Sequence, residues 1–271
     1  MTALPKTAHM ADDATVTASD LGHRQVWMPA MWVVAFAVAE GVAIGIGAPM
    51  GALAHGALLL TLVQVYLFGH EARSIAACLA VASLSRILVV AMPPGDGSLL
   101  LRIAGPGVPF TVAALLLLRL PDFDRRALGL WPSPGWRPQV LVALVGVPLS
   151  ALMFLVERPL VFMPSGSPLA LGLTGLALVV CAALPEELLF RGFLVPAARD
   201  VFGRAGPLVA GAIFTVAYAG TLAPLFLLVV ALTGLFFGWW YERTGSVLGV
   251  IIAHAVVNVG VFLVWPGVIH E

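Results

Sequence analysis

The stretch Cys181-Ala-Ala-Leu-Pro-Glu-Glu-Leu-Leu-Phe-Arg-Gly-Phe193 sets two adjacent carboxylates and an arginine inside an apolar run from about 168 to 198. A run of that length can cross a bilayer, and carboxylates inside a span are expensive enough to need a reason. The rest of the chain has the same solvent preference. Of 271 residues, 61% are hydrophobic and 10% charged, with a mean hydropathy of +1.03. A soluble domain carries about 25% charged residues. The reading is an all-α, polytopic membrane helix bundle.

A spanning helix needs about 20 mostly apolar residues. Candidates are 27–48, 52–69, 74–92, 99–118, 139–156, 168–198, 207–220, 221–241 and 247–265, giving eight or nine crossings. Residues 1–26 form a polar N-terminal tail, and 27 begins a retained span, longer than a signal-peptide core. Residues 27–119 make an N-terminal four-helix membrane region, 120–138 a cytoplasmic linker, and 139–271 the membrane region that holds the acid pair.

Arginine placement orients the chain. With a cytoplasmic N-terminus, the inner segments carry Lys6, Arg24, Arg73, Arg119, Arg125, Arg126, Arg137, Arg199, Arg204 and Arg243, and the outer segments only Arg158. Ten against one follows the positive-inside rule. It also favours separate crossings for 207–220 and 221–241. Lys6 is the only lysine and the net charge is zero, so nucleic acid is not an expected partner. Cys78 and Cys181 sit in apolar runs without metal-type spacing and read as small buried hydrophobes.

On one continuous α-helix, Glu187 and Arg191 share a face and Glu186 points about 100° away. Glu187 then has a local cation and Glu186 has none. A carboxylate left without a cation in a low-dielectric site suits a proton acceptor. Glu186 is read as general base and Glu187 as an orienting acid. His254 and Asn258 are also four apart, in Ser246-Val-Leu-Gly-Val-Ile-Ile-Ala-His-Ala-Val-Val-Asn-Val-Gly260. Imidazole and carboxamide together can bind a metal or donate to an oxyanion. At about 1.5 Å per residue from the proposed cytoplasmic ends, Glu186 lies about 18 Å deep, Tyr218 about 16 Å and His254 about 10 Å. The three can line one cavity open to the cytoplasm.

These residues resemble a known family. Glu186-Glu-Leu-Leu-Phe-Arg-Gly192 is similar to the E-E-x-x-x-R motif of the CPBP intramembrane endopeptidases, which include the type II CAAX prenyl endopeptidases and the Abi proteins. His254-Ala-Val-Val-Asn258 is similar to the H-x-x-x-N motif. Gly238-Trp-Trp-Tyr-Glu-Arg-Thr-Gly-Ser246 resembles the turn before the last core helix, and Ala127-Leu-Gly-Leu130 the linker before the core. The resemblance covers about 120–265. It implies a hydrolase, a metalloprotease of the CAAX protease type, acting on a peptide or lipid-anchored peptide within membrane lipid. The expected location is a bacterial inner (plasma) membrane. By motif position Glu186 activates water, while His254 and Asn258 bind zinc or stabilise the oxyanion. The implied zinc ligands are Glu186, His254 and Asn258.

The middle motif of the family is F-x-x-x-H. Here it reads Phe214-Thr-Val-Ala-Tyr218, and no histidine lies between Arg191 and His254. A phenol titrates near about 10 and is a poor zinc ligand at neutral pH. Two functions stay open: an endopeptidase using Glu186-activated water, or a catalytically impaired pseudoprotease acting as scaffold, immunity or regulatory protein. A transporter is disfavoured because no internal repeat is visible.

Outside this constellation, Glu40 is expected to pair with Arg86 or Arg102. His55 and His70 are expected at interfaces near helix ends. Trp27, Trp32, Trp239, Trp240 and Trp265 read as interfacial anchors. The glycine pairs 41/45, 47/51 and 234/238 read as close helix contacts.

Overall fold

A computed structural model describes residues 18–69, 72–92, 98–123, 128–131, 135–157 and 167–269. The expectations for Lys6, His70, Arg125, Arg126, Ala127 and Arg158 fall outside them. The described residues are helical, without strands. α1 is Ala18–Gly45, α2 Ala48–Phe68, α3 Arg73–Val90, α4 Leu99–Leu117 and α5 Trp136–Glu157. Next comes a continuous helical run: α6 (Pro168–Ala177), a π-helical segment Leu178–Ala183, α7 (Leu184–Glu187), a second π segment Leu188–Leu194, and α8 (Val195–Phe202). A 3-10 turn, Gly203–Ala205, leads to α9 (Gly206–Ala217). α10 (Pro224–Thr244), α11 (Leu248–Val259), a π segment Gly260–Val264 and α12 (Trp265–Ile269) complete it.

Eight helical runs are long and apolar enough to cross a membrane by length and composition among the described residues. The sixth spans Pro168–Thr221, 54 residues, about 80 Å if straight, far more than a bilayer core. It does not run straight. Gly203 adopts φ +56, where only glycine is unstrained, and α9 packs back against α8. A Cβ on Gly206 would meet the Arg199 backbone. The short span expected at 207–220 is therefore the return limb of this hairpin.

The π segments are absent from the sequence reading, which assumed one α-helix over 168–198. Each is followed, two residues on, by a proline: Pro185, Pro196 and Pro266. A proline ring clashes with the carbonyl four residues back and cannot bond to it. Widening the helix relieves the clash. At each segment end the amide reaches five residues back: Leu184 N–H to Val179 O, Val195 N–H to Phe190 O and Trp265 N–H to Gly260 O. Proline alone does not specify this, because Pro29, Pro106, Pro109 and Pro148 sit inside ordinary α-helix. Thr111 on α4 covers the first wide segment, its hydroxyl 2.9 Å from Val180 O.

The N-terminal helices are walls of the core. α3 packs on the segment Leu188–Leu194, α4 on Leu178–Ala183, and α1 on α9. α11 runs along α5, where Gly146 faces the Ala253 carbonyl and Gln139 Oε1 accepts from Gly249 N–H at 2.8 Å. Trp265 Nε1 donates to Ser150 Oγ at 2.9 Å. The linker is not wholly solvated. Leu128 is buried against Gly192, and Ser246 Oγ donates to Gly129 O at 2.7 Å.

Some expectations change. Glu40 pairs with Arg86, through Nε and through Nη2 at 3.2 Å. His55 is not interfacial. It is fully buried, edge-on to Phe36, with Nε2 3.2 Å from Glu40 Oε1 but without hydrogen-bond alignment. α2 begins at Ala48, so His55 lies two turns inside the bundle. Trp32 is also buried, because its face of α1 turns inward with Phe36. Gly51 lies against Ala43 and Gly234 against Phe214, as close contacts should, but the space around Gly41 and Gly45 is open.

Candidate active site

Glu187 organises the site. Its side chain is fully buried at the end of α7, and Oε1 carries two bonds. Arg191 Nη1 donates to it at 2.8 Å, and His254 Nδ1 lies 2.7 Å away. The other oxygen, Oε2, has no hydrogen-bond partner among the described residues. Arg191, 2% exposed, stacks over the Phe214 ring at 4.3 Å and the Phe237 ring at 5.5 Å. Its Nη2 lies 3.4 Å from Gly234 O. The close approach of Gly234 is what brings that carbonyl within reach: a Cβ there would sit 3.2 Å from Phe214 Cδ1. The guanidinium is thus clamped between a carboxylate, a carbonyl and two aromatic faces.

Glu186 points elsewhere. Its Oε2 accepts from the Tyr218 hydroxyl at 2.7 Å and lies 3.9 Å from His254 Nε2. His254 therefore bridges the pair, Nδ1 to Glu187 and Nε2 towards Glu186. With Nδ1–H donating to Glu187, the neutral ring carries its lone pair on Nε2, facing Glu186. Tyr218 sits at the last turn of α9, packed among Phe214 and Phe226.

Two cavities meet at Glu186 and Tyr218. The inner one, about 210 Å³, is lined by Glu187, His254, Asn258, Thr233 and Glu157 among others. The larger, about 660 Å³, lies between α1, α3, α4 and α9, with Glu40, Arg86, Arg102 and Cys181 on its walls. Their joint lining brings together Glu186, Glu187, Phe214, Tyr218, His254 and Asn258, while Arg191 stands behind Glu187. The sequence reading missed Gly234, Phe237 and the chamber walls from the N-terminal helices. Gly234 had a signal as a small residue, read there only as packing. Of the walls only Glu40, Arg86 and Arg102 had a signal, read there as ion pairing, since α4 meets the core from 69 residues away in the chain and α1 and α3 from further still.

The donor set does not fit a catalytic zinc. No group of three or more His, Cys, Asp or Glu side chains able to hold a metal occurs among the described residues. Glu187 is committed to Arg191 and His254, and Tyr218 occupies Glu186 Oε2. Glu186, His254 and Asn258 remain, one imidazole short of the usual sets.

Residues 168–260 match the family model described as Type II CAAX prenyl endopeptidase Rce1-like, and that segment is an Rce1-like domain. Both motifs, Glu186 to Arg191 and His254 to Asn258, fall inside it, while α1 to α5 fall outside. Comparison with curated proteins returns no match, and comparison with solved structures returns none. The apolar helices and this domain mark the chain as an integral membrane protein, and the likeness to the CAAX-type intramembrane proteases extends over residues 168–260.

Proposed function

We propose that the protein is an intramembrane endopeptidase that hydrolyses a peptide bond near a membrane-embedded or lipid-anchored segment. The observation that carries this is the different burden on the two carboxylates. Glu187 is used up holding Arg191 and His254. Glu186 faces the cavities with only a phenol on it and an imidazole nitrogen 3.9 Å away.

The chemistry follows from that placement. Water between Glu186 and His254 gives a proton to Glu186 as its oxygen attacks the peptide carbonyl. The tetrahedral oxyanion is met by the N–H donors of Asn258, and by the Tyr218 hydroxyl once it turns from the protonated Glu186. The proton passes by way of His254 Nε2 to the leaving amine, and the C–N bond breaks. Glu187 fixes the ring and its tautomer throughout. The test is cleavage of a membrane-anchored peptide in proteoliposomes. Glu186→Gln should lose at least about 10²-fold in rate with an unchanged thermal midpoint; undiminished cleavage would sink the mechanism.

A second reading rests on Tyr218. Its hydroxyl already takes one oxygen of the proposed base, which suits a pseudoprotease that binds peptide without cutting it. Tyr218→His separates the two. A pseudoprotease gains cleavage from that change, whereas an active enzyme that uses the phenol loses it.

A further inference from the structure

The two cavities that meet at Glu186 differ in charge. In the larger one Arg86 and Arg102 offset Glu40 and Glu186. The inner one is lined by the carboxylates of Glu157, Glu186 and Glu187, and by no lysine or arginine among the described residues. Arg191 is engaged by Glu187 Oε1 and stands outside that lining.

Glu157 belongs to neither motif. It is the last residue of α5, ahead of the matched segment 168–260. Met153, four residues earlier, is buried and lines the same cavity. Residues four apart share a helical face, so this face of α5 closes one side of the cavity. Glu157 is exposed as well as lining it, which places the carboxylate at the mouth. At the buried end is Glu187. Arg191 and His254 take its Oε1, and its Oε2 is without a hydrogen-bond partner among the described residues. A buried acceptor without a donor is costly, and a donor arriving in the cavity relieves that cost.

Between the two carboxylates the wall is apolar, with Leu178, Phe226, Val230, Phe237 and Val257. A lysine or arginine side chain is the complement of such a space. Its methylene stem packs on apolar surface and its head seeks an anion. The volume, about 210 Å³, lies below the ordinary range of small-molecule pockets and suits a single side chain.

We infer that the inner cavity is a specificity subsite for a basic residue of the substrate, with Glu157 as the residue that selects it. This rests on the endopeptidase reading for what is cleaved. The basic residue adjoins the cleaved bond, because His254 and Asn258, which serve the reacting groups in that reading, line the inner cavity and not the larger one.

The test uses membrane-anchored peptides in proteoliposomes, with lysine, arginine, norleucine or glutamate at successive positions and the cut located by mass analysis. Wild type should cleave next to lysine or arginine with a kcat/KM at least about 10-fold above that for norleucine. Glu157→Gln should remove most of that preference, and Glu157→Lys should turn it towards glutamate. A merely structural Glu157 would slow all peptides alike. Equal cleavage of lysine and norleucine peptides by wild type, or a basic preference undiminished in both variants, would overturn the subsite and leave the endopeptidase reading standing. If wild type cleaves none of the peptides, that reading falls, and the subsite is judged by binding. Lysine peptides should then displace a fluorescent lysine peptide from wild type at least about 10-fold more effectively than norleucine peptides, and not from Glu157→Gln. Equal displacement by both would overturn the subsite too.

Discussion

Glu187 and Glu186 are neighbours with opposite duties, and substitution should separate them. Arg191→Ala leaves a fully buried carboxylate with one partner fewer. Breaking a buried pair from one side costs about 3–5 kcal/mol, so the thermal midpoint should drop and expression with it. Glu186→Gln should leave the midpoint in place and remove activity only. Zinc content gives a third expectation. Wild type should bind zinc well below one per chain, and Tyr218→His should raise it by supplying the missing imidazole beside Glu186 and His254. Equal, near-stoichiometric metal in both proteins would show that Tyr218 does not limit binding.

At the scale of helices, the spans were legible because apolar length alone specifies them, and the Glu187–Arg191 pair because a four-residue spacing places partners on one face. The His254–Glu187 bond was not legible, since 67 residues and three helices separate the two. The π segments were hidden for a different reason: proline permits either a kink or a widening, and the choice is made by what packs outside, here Thr111 and Gly107 against Val180 and Cys181. Pro185→Ala removes the clash with the Cys181 carbonyl. It should let the segment revert towards α-helix, turn Glu186 off the cavity and abolish cleavage while the protein stays folded, as read by activity and circular dichroism together. Gly146→Val tests the α5–α11 contact. A Cβ there would meet Ala253 O at 2.6 Å, and overpacking of this kind costs about 1–3 kcal/mol.

Over the whole molecule, the matched domain stops short of the helices that wall its chamber. α1, α3 and α4 supply Glu40, Arg86 and Arg102 to a cavity whose carboxylate comes from residue 186. The arginine count groups turns of which several meet among the described residues, Arg73 with Asp122 and Arg199 with Glu242. It said nothing of where the void lies, which depends on side-chain volume across helices distant in sequence. Glu40→Ala should destabilise the protein by stranding Arg86 beside His55, lowering the thermal midpoint although residue 40 lies far from the domain.

The pair of hydrogen bonds converging on a single oxygen of Glu187 has a consequence for ancestry. Glu187, Arg191 and His254 tie their own helical run to α11 and, through the Gly234 carbonyl, to α10, so a lineage that abandoned proteolysis would still be obliged to keep them in order to fold. Their persistence in a descendant would testify to architecture alone. Among the charged members of the two motifs only Glu186 is free to drift, and its retention or loss is the mark by which a working descendant is told from a retired one.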